Sequence, residues 1–196
     1  YQGSPVGDCR YSDATVFSFH PVKVVTSGEG GMVVCNDAAL AERVRTLRSH
    51  GITRDPEQMT REVDGPWYYE QLSLGFNYRI TDLQCALGAS QMARLEEFVS
   101  RRNELAQRYD GLLQDLPLTL PVVSEGVRSA WHLYVVLVDD TERRRSVFER
   151  MRAAEIGVNV HYIPVHTQPW YRNMGFCDGD FPIAEGYYQR AISLPM

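Results

Sequence analysis

Between Cys85 and Leu116 apolar residues recur every three or four positions: Cys85, Ala89, Met92, Leu95 and Val99, then Leu105, Tyr109, Leu112 and Leu116. This is the period of one helix face, and it constrains the fold more than any other stretch. Thr81 or Asp82 offers an N-cap, and Pro117 and Pro121 close the run, so the spacing predicts a helix of over thirty residues. Such a helix is too long to lie within one small domain. It is expected to link two domains or line a subunit interface. Three parts follow: residues 1–80 as one domain, 81–116 as the connecting helix, and 117–196 as a smaller α/β domain.

The flanks alternate strands with helices, so the predicted fold class is α/β. A strand is expected over residues 14–19 and another over 32–35, with Asn36 or Asp37 capping a helix over 38–49 that Gly51 ends as a C′ residue. Residues 53–66 carry Pro56, Gly65 and Pro66 and read as a loop. Farther on, residues 131–138 predict a buried strand, 142–155 a helix and 158–162 a second strand after Gly157. A right-handed crossover would make those two strands parallel. The chain opens on Tyr1 and stops at a strand-like Ser193, Leu194, Pro195, Met196, so both ends are expected to be cut rather than finished.

A net charge of −5 gives no basic footprint for nucleic acid or an anionic membrane. Cys9, Cys35, Cys85 and Cys177 are scattered without a C-x-x-C pair, as expected of reduced thiols in a cytoplasmic protein. No apolar run approaches a membrane span, and no signal-peptide pattern is present, so a soluble protein is expected.

Three constellations carry chemistry. Lys23 sits among apolar residues, five positions after Ser18 and just before the glycines of SGEGG. Desolvation would favour its neutral amine, as a Schiff-base lysine requires, while a surface side chain that snorkels fits the same pattern. Ser18 could reach an anionic group of the same cofactor, or could simply face outward from a strand. The turn lacks G-x-G-x-x-G spacing and feeds a strand, which excludes a dinucleotide fingerprint. In the second constellation Asn77 and Arg79 lie two residues apart before a helix. They suit a phosphate or carboxylate, or a structured loop with a surface arginine. In the third, His161, Tyr162 and His166 stand with Trp170 and Tyr171 around Pro164 and Pro169. This fits the wall of a pocket for a polar ring, or a packed loop with hydrogen-bonded histidines. The histidines lack a third ligand at metal spacing, so no metal is expected.

Taken in order, FSFHPVK, EGGMVV, LRSHGI, LGFNYRITDLQCALG, SAWHLY and HYIPVHTQPWY closely resemble the DegT/DnrJ/EryC1/StrS family of sugar aminotransferases. The resemblance covers almost the whole chain and implies a pyridoxal-phosphate enzyme of aminotransferase fold type I, acting as a homodimer. The reaction implied is ping-pong transfer of an amino group, usually from glutamate, to a keto group of a nucleotide-linked sugar. FSFHPVK, LGFNYR and HYIPVHTQPWY are most similar to the C4 transaminases for UDP-4-keto-6-deoxy-N-acetyl sugars of pseudaminic acid biosynthesis.

By this resemblance Lys23 holds pyridoxal phosphate as an internal aldimine and shuttles the proton, and Ser18 contacts the cofactor phosphate. Asn77 reaches that phosphate from the neighbouring subunit, and Arg79 crosses the same interface towards the donor or the sugar nucleotide. His161, Tyr162 and His166 are implied on the substrate side. Residues 1–80 then belong to the large cofactor domain. The family's phosphate-binding turn, ring-stacking aromatic and pyridinium-pairing acid lie upstream of Tyr1, so the chain resembles the second half of a subunit. Two alternatives remain. Sugar 3-dehydratases share the fold but resemble the family with histidine at the lysine position, and a truncated relative could act as a non-catalytic assembly or regulatory partner.

Overall fold

The computed structural model describes all residues 1–196. It divides into two compact units, Tyr1–Leu95 and Glu96–Met196. In the first unit, β1 (Ala14–Ser18) and β2 (Gly31–Cys35) form an antiparallel hairpin in which Ser18 faces Gly31 at the mouth of the connecting loop. Helix α1 (Ala38–Arg48) follows, with the Asp37 side chain accepting from the backbone N–H groups of Ala39 and Leu40. Short strands β3 (Ile52–Thr53) and β4 (Glu70–Gln71) pair antiparallel at the base of the intervening loop. Helix α2 (Asp82–Met92) closes the unit.

Helix α2 begins with a reciprocal cap: the Thr81 hydroxyl accepts from the Gln84 N–H, and the Gln84 side chain accepts from the Thr81 N–H at 3.0 Å. Thr81→Ala should cost about 1 kcal/mol of stability, read as a lower midpoint in urea unfolding with an unchanged slope.

The single long helix is not formed. After Met92 the chain turns at Ala93 and Arg94, whose N–H groups bond back to Ala89 and Gln91, and α3 (Leu95–Leu113) then starts afresh. A three-to-four spacing survives so short an interruption, so periodicity alone cannot tell one helix from two. Along the chain the boundary between the compact units falls just after this break, between Leu95 and Glu96.

The second unit packs α3 and α4 (Thr141–Ala153) with a three-stranded antiparallel sheet of order β5 (Leu118–Thr119), β6 (Tyr134–Val138), β7 (Ala191–Leu194). Its core joins Ala106 of α3, Tyr134, Val136 and Val138 of β6, Val158, and Ile192 of β7. Burial pushes the Tyr134 phenol well above its ordinary pKa, and its hydroxyl donates to Asp110 at 2.5 Å. Strand β6 alternates buried and half-buried residues, as a strand packed on one face should.

The parallel strand pair expected from residues 131–138 and 158–162 is absent. Both neighbours of β6 are antiparallel, and the second segment contributes only an antiparallel bridge from Asn159 to Ser193 on the other edge of β7. The chain-terminal AISL run took the central partner's place, and a crossover rule cannot foresee so distant a competitor. Beyond α4 lie a 3-10 turn (Val165–Thr167), α5 (Pro169–Arg172) and α6 (Pro182–Arg190). No helix is long and apolar enough to cross a membrane.

Candidate active site

The loop between β1 and β2 is fixed by its own backbone. The Phe19 carbonyl accepts from both the Ser27 N–H at 3.0 Å and the Thr26 hydroxyl at 3.0 Å, while the Phe19 N–H donates to Gly30 at 2.8 Å. Lys23 closes a tight turn inside this loop through its N–H to the His20 carbonyl at 2.9 Å. Ser18 is exposed at the loop mouth, where its hydroxyl lies 3.4 Å from the His20 N–H. The hairpin thus carries the hydroxyl of the FSFHPVK motif at the end of β1 and its amine in the loop. Lys23 is half-exposed instead of enclosed by its apolar neighbours; Val25 and Ser27 are the residues turned inward.

Ser27, at 2% exposure, forms the floor of the loop. A Cβ on Gly30 would meet the Ser27 hydroxyl and the Ile80 side chain at 2.6 and 2.8 Å, and Gly88 of α2 lies over Ser27. The segment bearing Asn77 and Arg79 therefore ends against the lysine loop through Ile80.

That segment is held at its other end by α1. The last carbonyls of a helix need outside donors, and here the Phe76 N–H bonds Leu47 at 2.6 Å while the Tyr78 N–H bonds Arg48 at 2.9 Å. The His50 N–H returns a bond to the Phe76 carbonyl at 2.8 Å. LRSHGI and LGFNYR are thus two halves of one backbone clasp. Two residues after the helix, His50 and Gly51, adopt left-handed backbone at φ 64° and 72°, where a single C′ glycine was expected. Asn77, bridged to Ser49 within the clasp, and Arg79 just after it are both exposed. Phe76 and Tyr78 stack on each other with ring centroids 4.7 Å apart, and alternation places Asn77 on the opposite side.

In the second unit the two expected histidines serve different partners. The Nδ1 of half-buried His161 lies 2.7 Å from the Ser193 hydroxyl, and Tyr162 beside it is exposed. His166 does not face outward with them. It is 7% exposed, with Nε2 2.7 Å from a Glu185 carboxylate oxygen that also accepts from the Gly179 N–H at 2.8 Å. Its ring packs against Phe181 at 4.8 Å and helps line an apolar recess with Tyr171 and Phe176. Glu185 and Ser193 were not foreseen from sequence. The available signals were an acid in the first turn of a proline-initiated helix and a lone hydroxyl within the apolar A-I-S-L strand.

The His166 bond, then the Gly179 bond, hold the Glu185 carboxyl below the usual carboxylate range. A depressed carboxylate stabilises the fold above its unfolded pKa, and that contribution disappears as pH falls through the lower folded value. Glu185→Gln should remove it. The gap in stability between native and variant chains is then expected to narrow as pH falls below the unfolded value of about 4.5, as measured by urea unfolding across that range.

A half-exposed primary amine beside an exposed hydroxyl can chemically take up a carbonyl compound, and the exposed amide of Asn77 and guanidinium of Arg79 can bind an anionic group. The chain belongs to the DegT/DnrJ/EryC1/StrS aminotransferase family, whose pattern it matches over residues 1–196. It is 41% identical over 190 residues to the spore coat polysaccharide biosynthesis protein SpsC of Bacillus subtilis, covering 94% of this chain and 49% of that one. It is 32% identical over 200 residues to the UDP-4-amino-4,6-dideoxy-N-acetyl-beta-L-altrosamine transaminase of Campylobacter jejuni, covering 100% of this chain and 50% of that one. The pyridoxamine-phosphate form of Spr1654 from Streptococcus pneumoniae, named as a sugar aminotransferase, superposes with a TM-score of 0.90 at 30% identity, covering 100% of this chain and 50% of that chain. The chain spans about half the length of the relatives it matches.

Proposed function

We propose that the protein containing this chain is a pyridoxal-phosphate-dependent aminotransferase that moves an amino group from glutamate to the keto carbon of a nucleotide-linked 4-keto-6-deoxy sugar. The observation that carries this reading is Lys23 itself: a lysine, where the related dehydratases have histidine, on a loop whose backbone is fixed independently of the side chain. The names of the Campylobacter jejuni and Streptococcus pneumoniae relatives support the sugar class and the cofactor. A sugar of the pseudaminic acid type is the narrowest form of the proposal.

The residues present fit the cofactor's attachment end, since a half-exposed primary amine and an exposed hydroxyl share one hairpin. Lys23 would hold the cofactor, and Ser18 its phosphate. When bound, pyridoxal phosphate supplies the carbonyl that takes up the amine and a ring that withdraws electrons from the substrate carbon. Lys23 takes a proton from that carbon in one half-reaction and returns one in the other. In the net exchange glutamate becomes 2-oxoglutarate and the sugar ketone becomes an amine. Asn77 and Arg79, both exposed, would bind phosphate or carboxylate across an interface with a second subunit. His161 and Tyr162 would face the sugar, and His166 would keep their loop in place through Glu185.

The full-length protein, loaded with pyridoxal phosphate and given glutamate, should release 2-oxoglutarate in an amount equal to the cofactor. Adding a UDP-4-keto-6-deoxy-N-acetylhexosamine should regenerate the starting spectrum and yield the 4-amino sugar. Release of 2-oxoglutarate without any amino sugar would overturn the substrate class, and no release from any amino acid would overturn the transaminase.

A further inference from the structure

Ser193 is a hydroxyl residue in the apolar strand β7 and is 3% exposed. A buried hydroxyl needs a partner, and the His161 Nδ1 at 2.7 Å supplies it. The Ser193 backbone is committed to the same segment: its N–H donates to the Asn159 carbonyl at 2.8 Å, and its carbonyl accepts from the Asn159 N–H at 3.2 Å. One residue therefore anchors residues 159–161 by three bonds. Its strand is itself locked into the core sheet, where Ser193 stands opposite Val135 of β6.

An imidazole turned by 180° about its Cβ–Cγ bond keeps its shape but exchanges Nδ1 with Cδ2 and Nε2 with Cε1. Nothing in packing alone distinguishes the two orientations. A hydroxyl can donate to a bare ring nitrogen or accept from a protonated one, so it selects the nitrogen-inward orientation in either tautomer. Once Nδ1 faces Ser193, Nε2 is the ring nitrogen left for a ligand.

We propose that Ser193 is a positioning residue that holds His161 with Nδ1 inward, so that Nε2 is presented to a hydroxyl or carbonyl oxygen of the acceptor sugar. This rests on His161 being a sugar-side residue, as set out above. On this proposal the contact is made to the sugar and not to the amino donor. The two half-reactions should therefore respond differently when the bond is removed.

The test uses the full-length protein with Ser193→Ala and Ser193→Thr, reading the donor half-reaction with glutamate, the acceptor half-reaction with the keto sugar, and the 15N imidazole resonances of His161. Ser193→Ala should slow the acceptor half-reaction about tenfold at limiting sugar, the scale of one lost hydrogen bond, while leaving the donor half-reaction within about twofold. Ser193→Thr, which retains the hydroxyl, should restore most of the loss. The His161 Nδ1 resonance should move in the alanine variant alone. Equal slowing of both half-reactions, or no slowing of either, overturns the proposal. Should the native protein turn over neither substrate, the transaminase reading fails. In that case an unmoved Nδ1 resonance in Ser193→Ala overturns the positioning by itself, whereas a shift supports it.

Discussion

Lys23→Ala is expected to abolish covalent capture of pyridoxal phosphate without unfolding the loop that carries it. The loop's anchors are the Phe19 carbonyl, the Thr26 hydroxyl, the Ser27 N–H and the backbone turn from His20 to Lys23, none of which uses the lysine side chain. In the native full-length protein, borohydride treatment after loading should leave a phosphopyridoxyl label on the peptide containing Lys23. That label should be missing from the alanine variant, and amino-sugar formation should fall by at least about 10³-fold, the scale of a positioned acid–base group. Lys23→Arg separates charge from amine chemistry: it keeps the cation, cannot form the covalent link, and should fail in the same way. A label on another lysine, or persistent turnover in either variant, would overturn the assignment of Lys23.

Gly51→Ala should be the most destabilising single methyl in the first unit. Gly51 has φ 72°, and a Cβ there would stand 1.9 Å from the Ser73 carbonyl oxygen, closer than any backbone can accept. The left-handed conformation contributes roughly 1–2 kcal/mol and the forced displacement roughly 1–3 more, so a loss of about 3 kcal/mol is expected. Gly75, whose Cβ would meet the Gly51 nitrogen at 2.3 Å, should behave similarly because the two glycines face each other across the clasp. Gly51→Asn tolerates the backbone angle but not the contact, so it should rescue little. Chemical unfolding of each variant measures the effect, and recovery in Gly51→Asn would show that strain, not contact, dominates.

The sequence makes some of this architecture legible and hides the rest for identifiable reasons. Local signals worked: Asp37 caps α1, Thr81 caps α2, and the strands at residues 14–18, 31–35 and 134–138 lie where their apolar residues point. Long-range pairing failed, since whether β6 takes residues 158–162 or residues 191–194 as its neighbour depends on competition that no local pattern records. The site shows the same division. Lys23 and Ser18 belong to one motif and so fall on one hairpin, Ser18 at the end of β1 and Lys23 in the loop beyond it. The inward commitment of His166 depends on Glu185, nineteen residues later in another helix, and a histidine's own neighbours in sequence do not reveal such a partner. The enclosure expected for Lys23 also fails, because apolar neighbours along the chain need not become neighbours in space; Val25 turns inward while Val22 stays outside.

The loop of residues 54–69 begins and ends at the two-residue ladder of β3 and β4. Glu70 at its base takes the Thr60 and Arg61 N–H groups and the Thr60 and Tyr68 hydroxyls on its carboxylate. Because the ends are tied beside the Gly51 clasp, the excursion can lengthen or change composition at little entropic cost and without moving Asn77 or Arg79. It is a natural insertion point, where the outer contour of this unit can change while the clasp beneath it stays tied.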